Sequence, residues 1–156
     1  MIIKQEHKAS FEALFDDIYL GNEMAKDLSF MILECLHIWD DSVDQDKDIA
    51  KQDANRAWVN AMIQLPTHPL YKAMPEMPYL IRDVYFKWVA ANEFEKSGNE
   101  LEKAFVLRAE LYGLFVHIAG HVGGFEHAEK VSPIVWSLYG EKLCEFIEEV
   151  KSCQIQ

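Results

Sequence analysis

Residues 34 to 44 read ECLHIWDDSVD, and their spacing on a helix decides what they could do. Glu34, His37, Asp41 and Asp44 follow steps of three, four and three, so one helix face carries all four, with Asp40 offset beside His37 and Asp44. Carboxylates at this spacing suit a hard cation such as magnesium or manganese, and an imidazole beside them suits acid, base or orienting work. The acids also stand at a helix C-terminus, where the macrodipole is already negative, so they call for a positive partner or for water. Glu34 and His37 interrupt an apolar run and need partners on another helix.

A later segment offers such partners. Arg108 lies among apolar residues, and Glu110, His117 and His121 fall near one helix face, the two histidines at the HxxxH spacing that lets two imidazoles meet one metal. If the two apolar helices pack antiparallel, Arg108 is the first contact to expect for Asp40, Asp41 and Asp44. Each feature also has an ordinary reading. Acids at a helix end are commonly solvated, histidines on an apolar helix are commonly hydrogen-bonded within a core, and an arginine there is commonly an ion-pair partner.

Several catalytic and metal patterns are incomplete or absent. Glu34 and His37 have the ExxH spacing of di-iron bundles, but no second ExxH occurs. Asp44, Asp46 and Asp48 match the first positions of a calcium loop, yet Ile49 stands where glycine is needed and Asn55 where glutamate is needed. No P-loop, GxSxG, HExxH or Cys-His zinc spacing is present. An all-helical nucleotide pyrophosphatase would show ExxE followed by ExxD; Glu145 and Glu148 give the first spacing and nothing gives the second.

The elements that must position these residues are helices. Glycine and proline fall between long helical patterns, which gives an all-α single domain, residues 1–156, as a bundle of about six helices. A short first helix runs from about Ser10 to Tyr19, capped by Ser10, with Phe11, Leu14, Phe15 and Ile18 inward and Leu20 and Gly21 ending it. A second begins after Asn22, its N-cap, and continues to about Asp44. A third covers about Ile49 to Leu65, with Ala54, Ala57, Trp58, Ala61, Met62 and Leu65 on one face, and stops at Pro66. PTHPLYKAMPEMP reads as a loop with at most a short helical turn. A fourth helix spans about Tyr79 to Ser97 and ends at Gly98; a fifth, capped by Asn99, continues to about 122; a sixth starts at Ser132 and Pro133 and extends to about Val150. The two most apolar helices, about 22–44 and 99–122, are expected at the centre.

Composition narrows the partners. A net charge of -11 with scattered lysines and arginines argues against nucleic acid and anionic membranes. Three cysteines without paired spacing, and no signal-like or membrane-spanning apolar run, fit a reduced, cytoplasmic setting.

DDSVD also resembles the first metal motif of isoprenoid synthases, all-helical enzymes that hold magnesium and a diphosphate between helices. Asn92 and Glu100 keep the outer spacing of their second motif, but Lys96 holds its middle position, and the chain is about half the length of those enzymes. Across residues 10–125 the sequence resembles a small family of uncharacterised phage and prophage proteins through HIWDDSVD, ANEFEKSG and AFVLRAELY. That resemblance implies that His37, Asp40, Asp41, Asp44, Asn92, Glu93 and Arg108 form one recurring constellation, without assigning an activity.

Two functions follow as expectations. The first is a metal-binding protein acting on a phosphate or diphosphate compound, with Asp40, Asp41 and Asp44 as magnesium or manganese ligands and His37 and Arg108 as catalytic groups. The second is a non-enzymatic phage-type interaction or assembly protein forming a homo-oligomer, with Trp58, Tyr71, Tyr85, Trp88, Trp136 and Tyr139 available for an apolar interface.

Overall fold

The structure, a computed structural model, describes residues 13–44 and 48–153. Among them all regular structure is helical, as expected, but it is divided into more helices than six. We label residues 13–18 α1, Glu23–Asp44 α2, Lys51–Val59 α3, Pro69–Ala73 α4, Met77–Ser97 α5, Leu101–Arg108 α6, Leu111–Gly123 α7, Phe125–Ser137 α8 and Leu143–Cys153 α9. No helix among the described residues is long and apolar enough to cross a membrane. The chain divides into two compact units, one formed by Met1–Pro75 with His121–Gly124, the other by Glu76–Gly120 with Phe125–Gln156.

In the first unit, α1 ends as its sequence requires. Leu20 and Gly21 both adopt positive φ, 53° and 72°, and the Gly21 amide returns to the Asp16 carbonyl at 2.8 Å. Ser10 and Phe11 lie outside the described residues. Asn22 caps α2 as expected, its Oδ1 accepting from the Ala25 amide at 3.1 Å. Phe15, Ile18, Tyr19, Leu28 and Ile32 are buried, and the Tyr19 hydroxyl meets the buried Ser29 hydroxyl at 2.6 Å, so neither polar group is stranded. Burial pushes the Tyr19 phenol upward, against the opposing effect of the Ser29 hydrogen bond.

Pro66 does not stop the third helix. After α3 the chain passes through a π-helical turn, Asn60–Gln64, and continues as Leu65–Thr67. Proline lacks an N–H and its ring collides with the carbonyl four residues back; the widened turn just before Pro66 relieves that conflict. Helix α2 packs against α3, the π turn and α4. The latter forms inside the proline-rich stretch because Pro69 opens it and buried His68 caps it, Nδ1 accepting from the amides of Leu70 and Tyr71 at 3.2 and 3.4 Å.

In the second unit, α5 ends at Gly98 with φ 69°, as the sequence indicates. The next helix departs from expectation. Its N-cap is Glu100, itself at φ 57° and without a side-chain cap, rather than Asn99. The long helix expected over 99–122 is interrupted at Ala109 and Glu110, where amides bond three residues back: Ala109 to Val106, Glu110 to Leu107, Tyr112 to Ala109 and Gly113 to Glu110. The last expected helix is likewise two. Pro133 lies inside α8, not at a helix start, and Gly140, at φ 67°, falls in the break before α9. Helix α5 packs on α6, and α6 on α9, around Ala91, Leu101, Ala104 and Phe146, with Phe94, Phe105 and Ile147 against them.

Candidate functional site

The last turns of α2 carry Glu34, His37, Asp40 and Asp41, all half-buried. Glu34 finds its partners on α3 and the following π turn: the Arg56 Nε donates to Oε1 and the Asn60 amide to Oε2 at 2.7 Å, while Arg56 also reaches Asp53 at 2.8 Å. The signal was in the sequence, because Arg56 and Asn60 stand four apart on one helical run. Beside them the Cys35 thiol donates to the Ala57 carbonyl at 3.7 Å, and burial, reinforced by the Glu34 charge, pushes its pKa up to about 11. That makes Cys35 a poor nucleophile at neutral pH.

His37, Asp40 and Asp41 are each engaged in polar or ring interactions. Asp44 ends the helix, and its side chain lies outside the described residues, as does Asp46. Among the described residues, no three His, Cys, Asp or Glu side chains converge as a metal site.

In the second unit, Arg108 at the end of α6 faces α5. Its Nε and Nη2 donate to the two Glu95 oxygens at 2.7 and 2.8 Å, and Nη2 also reaches the Asn92 Oδ1 at 2.6 Å. The guanidinium carbon lies 5.6 Å from the centre of the Trp88 ring. This fork-to-fork pair, with arginine and glutamate side chains only 18% and 20% exposed, ties α6 to α5. Asn92 and Arg108, expected in one constellation, do meet. Glu93 is exposed, and Glu95 is the carboxylate that joins them. Trp88, Asn92 and Glu95 follow steps of four and three, a stripe legible in the sequence that the attention given to Glu93 passed over.

The remaining candidates serve separate contacts. Lys87 binds both Asp83, at 2.7 Å, and Glu110, whose hydrogen bonds outweigh desolvation and raise the ammonium pKa. The His117 imidazole meets Glu76 at 3.0 Å, both groups being substantially exposed, and His121 is exposed. Tyr112 donates to the Leu138 carbonyl at 3.2 Å and Tyr139 to Glu141 at 2.7 Å. Burial raises the Tyr112 phenol to about 12, and burial with the Glu141 carboxylate raises that of Tyr139 further.

The outer face of α5 is the less expected feature. Tyr79, Tyr85, Phe86 and Val89 are exposed while Met77 and Ala91 on the same helix are buried. Of the six aromatic residues expected at an interface, Trp58, Tyr85 and Trp136 are exposed, and Tyr71, Trp88 and Tyr139 are half-buried. No known protein family, curated protein or solved structure matches the chain.

Proposed function

We propose that this protein acts by association rather than by catalysis, as a helical interaction protein that pairs with itself. The observation that carries this reading is α5, a helix apolar on two sides: one side is packed, and on the other Tyr79 and Phe86 are 62% and 58% exposed. Single exposed apolar residues are ordinary, whereas several on one helix side mark a surface that gains by being covered. The engagement of Arg108 by Glu95 and Asn92 also favours a structural over a catalytic use of that residue.

Light scattering during size exclusion, over a range of protein concentrations, tests the reading. The expected result is a dimer that grows with concentration and is unchanged by chelator. A monomer throughout overturns it.

The half-buried placement of His37, Asp40 and Asp41 supports a second reading, in which the α2 terminus holds magnesium or manganese and a phosphate-containing ligand. Its test is calorimetric titration with each ion. Binding that Asp41→Asn abolishes is expected, and no heat with either ion removes the reading.

A further inference from the structure

The exposed residues of α5 do more than accumulate. Tyr79, Arg82, Phe86, Val89, Glu93 and Lys96 are all exposed, and their separations are three, four, three, four and three. That alternation is the spacing of a coiled-coil seam, with an apolar residue at three positions and a charge at the other three, and from Tyr79 to Lys96 it extends for about 25 Å at 1.5 Å per residue. The face opposite holds Met77 and Ala91, and Phe94 packs against the core of its unit, so the seam is separate from the packing that makes the fold.

We infer that this seam is the face by which two copies of the chain pair, with the two α5 helices antiparallel about a two-fold axis and Arg82 of each copy against Glu93 of the other. The inference rests on the self-association proposed above and adds its geometry. The sequence of the seam is self-complementary in one arrangement. When Phe86 of one helix is set against Val89 of an antiparallel second copy, Arg82 falls against Glu93 and Tyr79 against Lys96, and the two-fold axis repeats each pair. The centre is then apolar, the next layer on each side an ion pair, and the outermost layer an ammonium on an aromatic ring.

Other arrangements lose this match. A parallel pair in register would bring Arg82 against Arg82 and Glu93 against Glu93, which is repulsive twice over. Sliding the antiparallel helices by one heptad sets Arg82 against Phe86, or Glu93 against Val89, and leaves the charges unmatched. Within the single chain, Arg82 lies over the Tyr79 ring, its guanidinium carbon 5.2 Å from the ring centre, so it is already held along the seam. Among the described residues, neither Glu93 nor Lys96 is in an ion pair.

Charge exchange tests the arrangement. Arg82→Glu places glutamate against Glu93, and Glu93→Arg places arginine against Arg82, so sedimentation equilibrium should find either variant alone about tenfold or more weaker as a dimer. An equimolar mixture of the two variants restores both ion pairs in a heterodimer and should recover the parent affinity, as should Arg82→Glu/Glu93→Arg within one chain. A general effect of net charge predicts otherwise, because Glu93→Arg reduces the excess negative charge and would tighten association. Recovery on mixing also excludes loss of fold as the cause. A parent dimer insensitive to both substitutions overturns the seam and leaves self-association standing, whereas a parent chain that is monomeric at every concentration overturns both.

Discussion

Arg108 shows how one side chain holds two helices. Its fork is occupied by both Glu95 oxygens, with Asn92 on one nitrogen and Trp88 beneath the plane. Removing a partner from a pair this enclosed leaves the other charge partly desolvated, so Arg108→Ala should lower unfolding free energy by about 2–3 kcal/mol in urea titration. Arg108→Lys should recover only part of that, since a lysine cannot fill the fork. Equal stability of all three chains would show that the pair contributes nothing. Sequence alone singled out Arg108 because an arginine amid apolar residues must be paired. It points to the α2 aspartates as the partner, but Glu93 and Glu95 offer the same charge, and helix phase decides for Glu95. For Glu34 the same limit applies: burial requires a partner, and Arg56 and Asn60, on the segment that follows α2, supply it.

At the scale of elements, local chemistry was legible wherever a cap and an apolar pattern agreed. Asn22 and Gly98 mark ends that the structure keeps. Predictions failed where a strong local signal met a competing one. Pro133 reads as a helix start by composition, yet Gly124 precedes it and the helix opens at Phe125, carrying the proline within. The face expected for the third helix is buried only at Ala57: Ala54, Trp58, Ala61 and Met62 are exposed, and the π turn over Asn60–Gln64 shifts the phase of Ala61 and Met62. Helix α4 depends on its cap, an imidazole that accepts two amides and must therefore carry its proton on Nε2, which lies 3.6 Å from Asp27. His68→Ala should cost about 1 kcal/mol in thermal or urea unfolding, and His68→Asn, which keeps a capping acceptor, should cost less. If the two variants are equally stable, the cap is not what holds that turn.

At the scale of the whole molecule, burial raises the pKa of four phenols among the described residues, Tyr19, Tyr71, Tyr112 and Tyr139. Tyr19, Tyr112 and Tyr139 all have folded-state pKa values above the ordinary 10.0, Tyr112 at about 12. A proton held more firmly in the folded state stabilises that state fully below the unfolded value and progressively less as pH rises toward the folded one. Urea midpoints should therefore fall between about pH 10 and pH 12, and Tyr112→Phe should flatten part of that decline. An unchanged midpoint across that window would contradict it. The all-helical class was readable at this scale because periodicity and the placement of glycine and proline are summed over many residues. The division into two units was not, since it depends on which helices meet rather than on what each one contains. The connections within the second unit add a kinetic consequence. From Met77 to Cys153 its described helices are joined by five residues or fewer each time. Closing the short connection between α5 and α6 costs little chain entropy, so that pair can form early, whereas α9 reaches α6 across the intervening α7 and α8 and is the long-range capture of this unit.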